Sequence, residues 1–345
     1  LLGHNYHHEA WAELPKQFPD QKFIITEAMS AYNSRGYYEQ PSDSVAVYFT
    51  PYDTTHGQKP NKDYRISSYD NRRASWGSLH EESLRLFERY PFLSGIFIWS
   101  GIDYLGEPTP FEWPARSSYF GVVDLAGFPK DPYYLYQGEW TTRPMLHVFP
   151  HWNWTSGDTI DVWAYTNADE VELFLNGVSQ GVRRKQDDIR HLVWRVAYAP
   201  GVLRAVARKG GKVSMTREVR TAGPAARVVL TPDRSTIRGD GKDLSFVTVT
   251  IVDRNGVQVP NAEPLVRLRV AGGATIAGVD NGDETNHERF QRDSVRLFAG
   301  QALVIVRAGR RAGAVTLMAS SEKLQPGSIR LEARRVRVPG GGVSQ

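Results

Sequence analysis

Apolar residues in the first 143 positions come in short runs that are polar at both ends. Phe23-Ile24-Ile25-Thr26 is one such run and Phe92 to Trp99 is another, each the pattern of a strand covered on both faces. Between them Trp76, Leu79, Ser83, Phe87 and Tyr90 recur at three- and four-residue steps, which predicts an amphipathic helix over 76–90 that Pro91 stops. Strand, helix, strand in that order implies parallel strands joined by a crossover, as in an α/β barrel or a doubly wound sheet.

Beyond Pro144 the period falls to two. Ile160, Val162 and Ala164 alternate with Asp161, Trp163 and Tyr165; Val171, Leu173 and Leu175 alternate with Glu170, Glu172 and Phe174, ahead of the hairpin dipeptide Asn176-Gly177. With Val202, Ala205 and Ala207, these short strands predict a β-sandwich over 144–222. After the Gly223-Pro224 break, strands at 228–230, 244–252, 265–270, 303–306 and 315–319 predict a second, immunoglobulin-like sandwich over 223–338, followed by a frayed tail at 339–345. The expected class is therefore multidomain, an α/β part over 1–143 and two all-β domains.

At 345 residues the chain is long enough for two or three domains. With 41% hydrophobic and 23% charged residues it falls in the globular range, which excludes a disordered or collagen-like chain. No apolar run approaches the roughly 20 residues of a membrane helix, so no membrane insertion is expected. Zero Cys removes thiol catalysis, disulfides and thiolate metal sites. The net charge of +4 hides an uneven split, −5 up to Arg143 and +9 after it. The basic half alternates Arg with apolar residues, as in Val266-Arg267-Leu268-Arg269-Val270, so it reads as solvated strand faces and not as a nucleic-acid footprint. Aromatics concentrate at the other end, with 14 of 16 Tyr at or before Tyr136, which points to a ligand-facing surface there.

Candidate chemistry centres on Glu27, which follows the Phe23 to Thr26 run directly. A carboxylate at the C-terminal end of a parallel barrel strand lies on the face where catalytic loops gather. On spacing alone the plainer reading, an acidic residue opening a loop, comes first. The second run ends in Trp99-Ser100-Gly101-Ile102-Asp103-Tyr104-Leu105-Gly106-Glu107, adding an aromatic face and two more carboxylates, groups suited to stacking on sugar rings and binding hydroxyls. His4, His7 and His8 have no third ligand at metal spacing, and Asp280 to Glu284 lacks the calcium-loop pattern and reads as a polar turn.

Thr26-Glu27, Ser34-Arg35-Gly36-Tyr37-Tyr38, Ser67-Ser68-Tyr69-Asp70, Trp99 through Pro110, Ser117 through Asp131 and Pro150-His151-Trp152-Asn153-Trp154 together resemble glycoside hydrolase family 2, and its β-galactosidases in particular. Leu173 to Gly177 and Gly278 to Asp283 extend the likeness into the C-terminal domains. The resemblance implies a (β/α)8 barrel, here present only as its last part, that cleaves terminal β-D-galactosides with retention through two glutamates about 5 Å apart. It implies Glu27 as nucleophile, Tyr6 as its hydrogen-bond donor, Trp99 as the floor under the sugar, and Asp103 and Glu107 as hydroxyl ligands or loop-fixing groups. No cofactor and no metal are implied. The partner implied is a β-galactoside or a plant or host glycan.

The family's acid/base sits in an Asn-Glu pair well upstream of the nucleophile, and no Asn-Glu occurs in the 26 residues before Glu27. The expectation is that roughly five barrel strands and the acid/base belong to a missing N-terminal half, and that this chain alone is catalytically silent. A β-glucuronidase would use an Asn-x-Lys pair, and no Asn occurs between Asn71 and Asn153. The sandwiches are expected to be accessory units without catalytic residues, so that 224–345 could be deleted at little cost to hydrolysis. The alternative is a non-catalytic carbohydrate-binding or surface-attachment module, and a periplasmic or secreted location follows by analogy alone.

Overall fold

The computed structural model describes residues 1–48 and 61–335; the expected tail at 339–345 lies outside them. The described chain is mostly β and forms two compact units, Leu1–Thr221 together with Gly282–His287, and Ala222–Asn281 together with Glu288 onward.

The first unit begins with a three-stranded parallel sheet in the order Leu2–Asn5, Phe23–Glu27, Leu93–Ile96. The helix between the last two is His80–Arg89, shorter at its start than the 76–90 periodicity predicts. Its start is set through space: the Asp70 carboxylate accepts from His80 N at 3.0 Å and Glu81 N at 2.8 Å, satisfying free amides of the first turn. Trp76 and Leu79 therefore precede the helix. A second helix, Asp131–Trp140, has no amphipathic period, and its signal is Pro132 in the first turn.

Two antiparallel sheets follow in the same unit. One runs His191–Ala197, Thr159–Thr166, Leu146–Phe149; the other Lys212–Arg220, Val202–Lys209, Glu170–Leu175, Val178–Arg184. Ile160, Val162, Ala164, Leu173, Ala205 and Ala207 meet in one core between them, which makes this a sandwich. At the tip of the hairpin, Asn176 and Gly177 both have positive φ (51° and 85°), as a two-residue type I′ turn requires.

One expectation changes here. Alternation along Thr159–Thr166 predicts one covered face, yet every residue from Ile160 to Thr166 is buried. Trp163 and Tyr165 join Phe23, Ile25, Leu84, Leu93 and Leu135 in the core of the α/β part, so the strand serves two cores at once. Asp161, 1% exposed, lies between them and accepts from Ser42 N (2.7 Å), Ser42 Oγ (2.9 Å) and Arg195 Nε (2.8 Å). Burial pushes this carboxyl up, but the Arg195 guanidinium and the Ser42 donors outweigh it and hold it below the usual aspartate range.

The second unit is also a sandwich. Its sheets run Arg227–Pro232, Leu244–Val252, Gln301–Ala308, Ala274–Asp280 and Thr236–Arg238, Gly327–Arg334, Gly313–Ser320, Leu265–Ala271, Ser294–Arg296. Inward Val247, Val249, Val304, Val306, Val315 and Leu317 are fully buried.

Asp161→Asn should lower the stability of the first unit by about 1.5–3 kcal/mol, the range for hydrogen bonds to a charged group. Because the folded-state pKa is depressed, Asp161 stabilises above its unfolded value of about 3.9 and that contribution is lost as pH falls through the folded value, so the variant should also show a flatter acid limb in urea unfolding. Leu317→Ala should cost about 2–5 kcal/mol, read in the calorimetric transition of the second unit.

Candidate active site

The parallel pairing of Leu2–Asn5 with Phe23–Glu27 places two strand ends side by side. Their register runs Leu2 with Phe23 and His4 with Ile25, then skips one residue so that Asn5 stands opposite Glu27. Tyr6 comes next and turns with φ 50°, its amide donating to the Glu27 carbonyl oxygen at 2.6 Å. From there the Tyr6 hydroxyl donates to Glu27 Oε2 at 2.6 Å. Burial, then the bond to Glu27, push the Tyr6 hydroxyl far above its ordinary pKa, so it stays a donor at any working pH. Glu27 itself is half-buried, with one carboxylate oxygen committed to Tyr6.

The third strand of that sheet, Leu93–Ile96, leads to Trp99, whose peptide bond to Ser100 is cis. Trp99 is half-buried and meets Tyr104 edge to face, ring centroids 5.8 Å apart. Tyr104 donates to Glu107 Oε2 at 2.5 Å, and burial followed by that bond pushes its hydroxyl upward as well. The site therefore contains two tyrosine-to-carboxylate pairs. The pairs are linked electrostatically: the Glu107 charge acts on Tyr6 and on the buried Tyr32, and Tyr6 acts on Tyr104.

Asp103 lies elsewhere. It is 3% exposed, accepts from Gly121 N at 2.7 Å and Ser118 Oγ at 3.3 Å, and forms an ion pair with the fully buried Lys130. Burial pushes its carboxyl up to about 6 against the pull of Lys130. Its carboxylate is thus engaged within its own surroundings, by Gly121, Ser118 and Lys130. Glu107, by contrast, is exposed.

The sequence reading misses Tyr104, Tyr32 and Ser30 as neighbours of the pairs. Tyr104 has a local signal, three residues before Glu107 in the same aromatic and acidic segment. Tyr32 and Ser30 have none, because a bridge pairing Ala31 with Arg73 sets their position.

The three N-terminal histidines do not converge. His4 and His7 meet edge to face at 6.4 Å, while His8 turns to Ser83 Oγ at 3.2 Å and packs on Trp11. Among the described residues no group of three His, Cys, Asp or Glu side chains could hold a metal ion, and no helix is long and apolar enough to cross a membrane.

Known proteins match the chain along most of its length. Residues 228–330 match the pattern described as glycoside hydrolase family 2 C-terminal domain 5, and 157–215 match a domain of unknown function (DUF4982). A β-galactosidase of Bacteroides ovatus, BoGH2A, is 49% identical over 97% of this chain and 39% of its own length. A β-glucuronidase of Formosa agariphila is 26% identical over 62% of the chain and 22% of its own length. Among solved structures, a β-glycosidase from Bacteroides vulgatus superposes with a TM-score of 0.85 at 32% identity, over 96% of this chain and 45% of that one. The chain thus spans less than half the length of these relatives. Matched along nearly all of its length by such enzymes, and bearing one of their C-terminal domains, the chain belongs to glycoside hydrolase family 2.

Proposed function

We propose that the first unit carries the nucleophile half of a retaining β-glycosidase acting on terminal β-D-galactosides. The observation that carries this reading is the Tyr6 hydroxyl 2.6 Å from Glu27 Oε2, at neighbouring C-terminal ends of parallel strands. Tyr6 occupies one carboxylate oxygen, which leaves Oε1 to form the bond to the anomeric carbon as the glycosidic oxygen departs. Trp99 provides the face under the sugar ring, and Glu107, held by Tyr104, binds a hydroxyl. Asp103 is assigned to the loop and not to the sugar.

In this reading the parallel sheet is the end of a (β/α)8 barrel and the two sandwiches are immunoglobulin-like, with divisions near 143 and 222. The acid/base glutamate comes from sequence outside the 345 residues, in the longer polypeptide whose relatives this chain matches in part. Identity to a protein named as a β-galactosidase supports galactose over glucuronate, as does the stretch without Asn from 72 to 152.

The test uses the longer polypeptide that contains this chain. A 2-fluoro galactoside should leave a covalent label on the peptide bearing Glu27, and Glu27→Gln should abolish it. Label on Glu107 would overturn the assignment, and labelling by the glucuronide analogue alone would overturn the sugar. Tyr6→Phe should lower kcat about 10- to 100-fold, the equivalent of one hydrogen bond to a charged group. Trp99→Ala should lower kcat and kcat/KM together, since stacking beneath an oxocarbenium-like transition state exceeds stacking beneath the ground state.

A further inference from the structure

Six residues that lie within the matched C-terminal domain sequence, Gly282–His287, belong to the first unit. They are held there at three points. At the start, Gly282 has φ 77° and so little room that a Cβ would sit 2.1 Å from Asp124 Oδ2, the atom that accepts from Arg35 Nε at 2.6 Å. In the middle, the Glu284 carbonyl oxygen accepts from Arg116 N at 3.0 Å and Ser117 N at 3.3 Å. At the end, the His287 ring lies 4.0 Å from that of Trp113, and its Nε2 is 2.6 Å from the Pro114 carbonyl oxygen.

The segment that receives them is the one that holds the site loop. Arg116 O accepts from Gly106 N at 2.7 Å, and Ser118 N donates to Tyr104 O at 2.8 Å. Gly106 precedes Glu107, and Tyr104 carries the hydroxyl that grips it. A continuous run of backbone bonds therefore leads from Glu284 through Arg116 to the Tyr104–Glu107 pair. The Glu284 side chain is the unexpected part, because the sequence reads as a polar turn and the carboxyl is 1% exposed with neither oxygen hydrogen-bonded. It shares its buried space with the Lys130–Asp103 ion pair that fixes the middle of the same loop.

We propose that Gly282–His287 is a positioning element for the Trp99–Glu107 loop, and that Glu284 is the residue that seats it. This rests on reading Glu27 as the nucleophile and that loop as the sugar-facing wall. It also replaces the expectation that 224–345 is dispensable to hydrolysis. The facing groups account for the state of the carboxyl: burial pushes Glu284 up to about 8, Lys130 opposes this, and Asp103 and Asp283 add to it, with Tyr119 alongside and the Asp124–Arg35 pair next to Gly282. Seating is favoured while Glu284 is protonated. A folded pKa raised above the unfolded one means this contribution is whole below pH about 4.3 and is lost as pH rises through about 8.

The first measurement uses the 345-residue chain. In Glu284→Ala, and independently in Gly282→Val, hydrogen exchange at the Gly106 and Ser118 amides should quicken at least about tenfold, while amides of the Thr159–Thr166 sheet keep their protection. Glu284→Gln, neutral and of the same shape, should restore protection and remove its decline toward pH 8. Unchanged exchange in both disruptive variants would overturn the proposal. The second uses the longer polypeptide, where Glu284→Ala should raise KM and lower kcat/KM for an aryl galactoside about tenfold or more. Glu284→Gln at pH 6 should stay within about twofold of wild type, and so should Leu317→Ala, which destabilises the second unit without touching the segment. A Glu284→Ala enzyme with wild-type kcat/KM sinks the inference. Absence of label on Glu27 in the wild type sinks the proposed function instead, and leaves the exchange result to decide the positioning role.

Discussion

Burial of both faces of Thr159–Thr166 is the constraint on which the first unit depends. A strand in an antiparallel sheet ordinarily presents one face to a core and the other to water. Here Ile160, Val162 and Ala164 fill the sandwich, while Trp163 and Tyr165 fill the α/β core beside Leu93 and Leu135. A one-residue slip in register would exchange the two sets and pack each against a core shaped for the other. Asp161 makes that slip costlier still, since it would carry a buried carboxylate away from Ser42 and Arg195. The parallel sheet that ends in Tyr6 and Glu27 is thus held by packing against a strand more than 130 residues further along the chain.

What could be read in the sequence was whatever is local in period. The runs at 23–26 and 244–252, the alternation at 170–175 and the Asn176-Gly177 turn all appear in the structure, because each is set by neighbours along the chain. The exceptions share one cause. The helix expected from Trp76 begins at His80 because Asp70 reaches across to cap it, and Asp131–Trp140 is helical with no apolar stripe because Tyr38 and His147 hold Asp131 inside while Tyr133 and Trp140 stay exposed. Strand Val178–Arg184 lies at the edge of its sheet, with little of its surface buried and no clear alternation to betray it.

The site divides in the same way. Tyr6 and Glu27 could be named from motif and strand position, and the structure brings them into hydrogen-bond contact. Asp103 and Glu107, four residues apart and chemically alike, could not be told apart. Lys130 draws Asp103 into the interior, while the turn at Glu107, φ 47°, carries that carboxylate outward to Tyr104. Glu284 had no local mark at all, because its environment is made by Lys130 and Asp103, both far away in sequence.

The first unit is discontinuous in sequence, and that has a consequence for how the chain comes to be made. Domains emerging from synthesis fold from the N-terminal end. When Thr221 has been added, the sheets and helices of the first unit are all present, but Gly282–His287 is still separated from them by residues 222–281. Until then Arg116 N and Ser117 N lack the Glu284 carbonyl, and the Asp103–Lys130 pair lacks its cover. Gly282–His287 therefore reaches the loop only after residues 222–281 have been made, which ties the maturation of the site to synthesis of the unit that follows it.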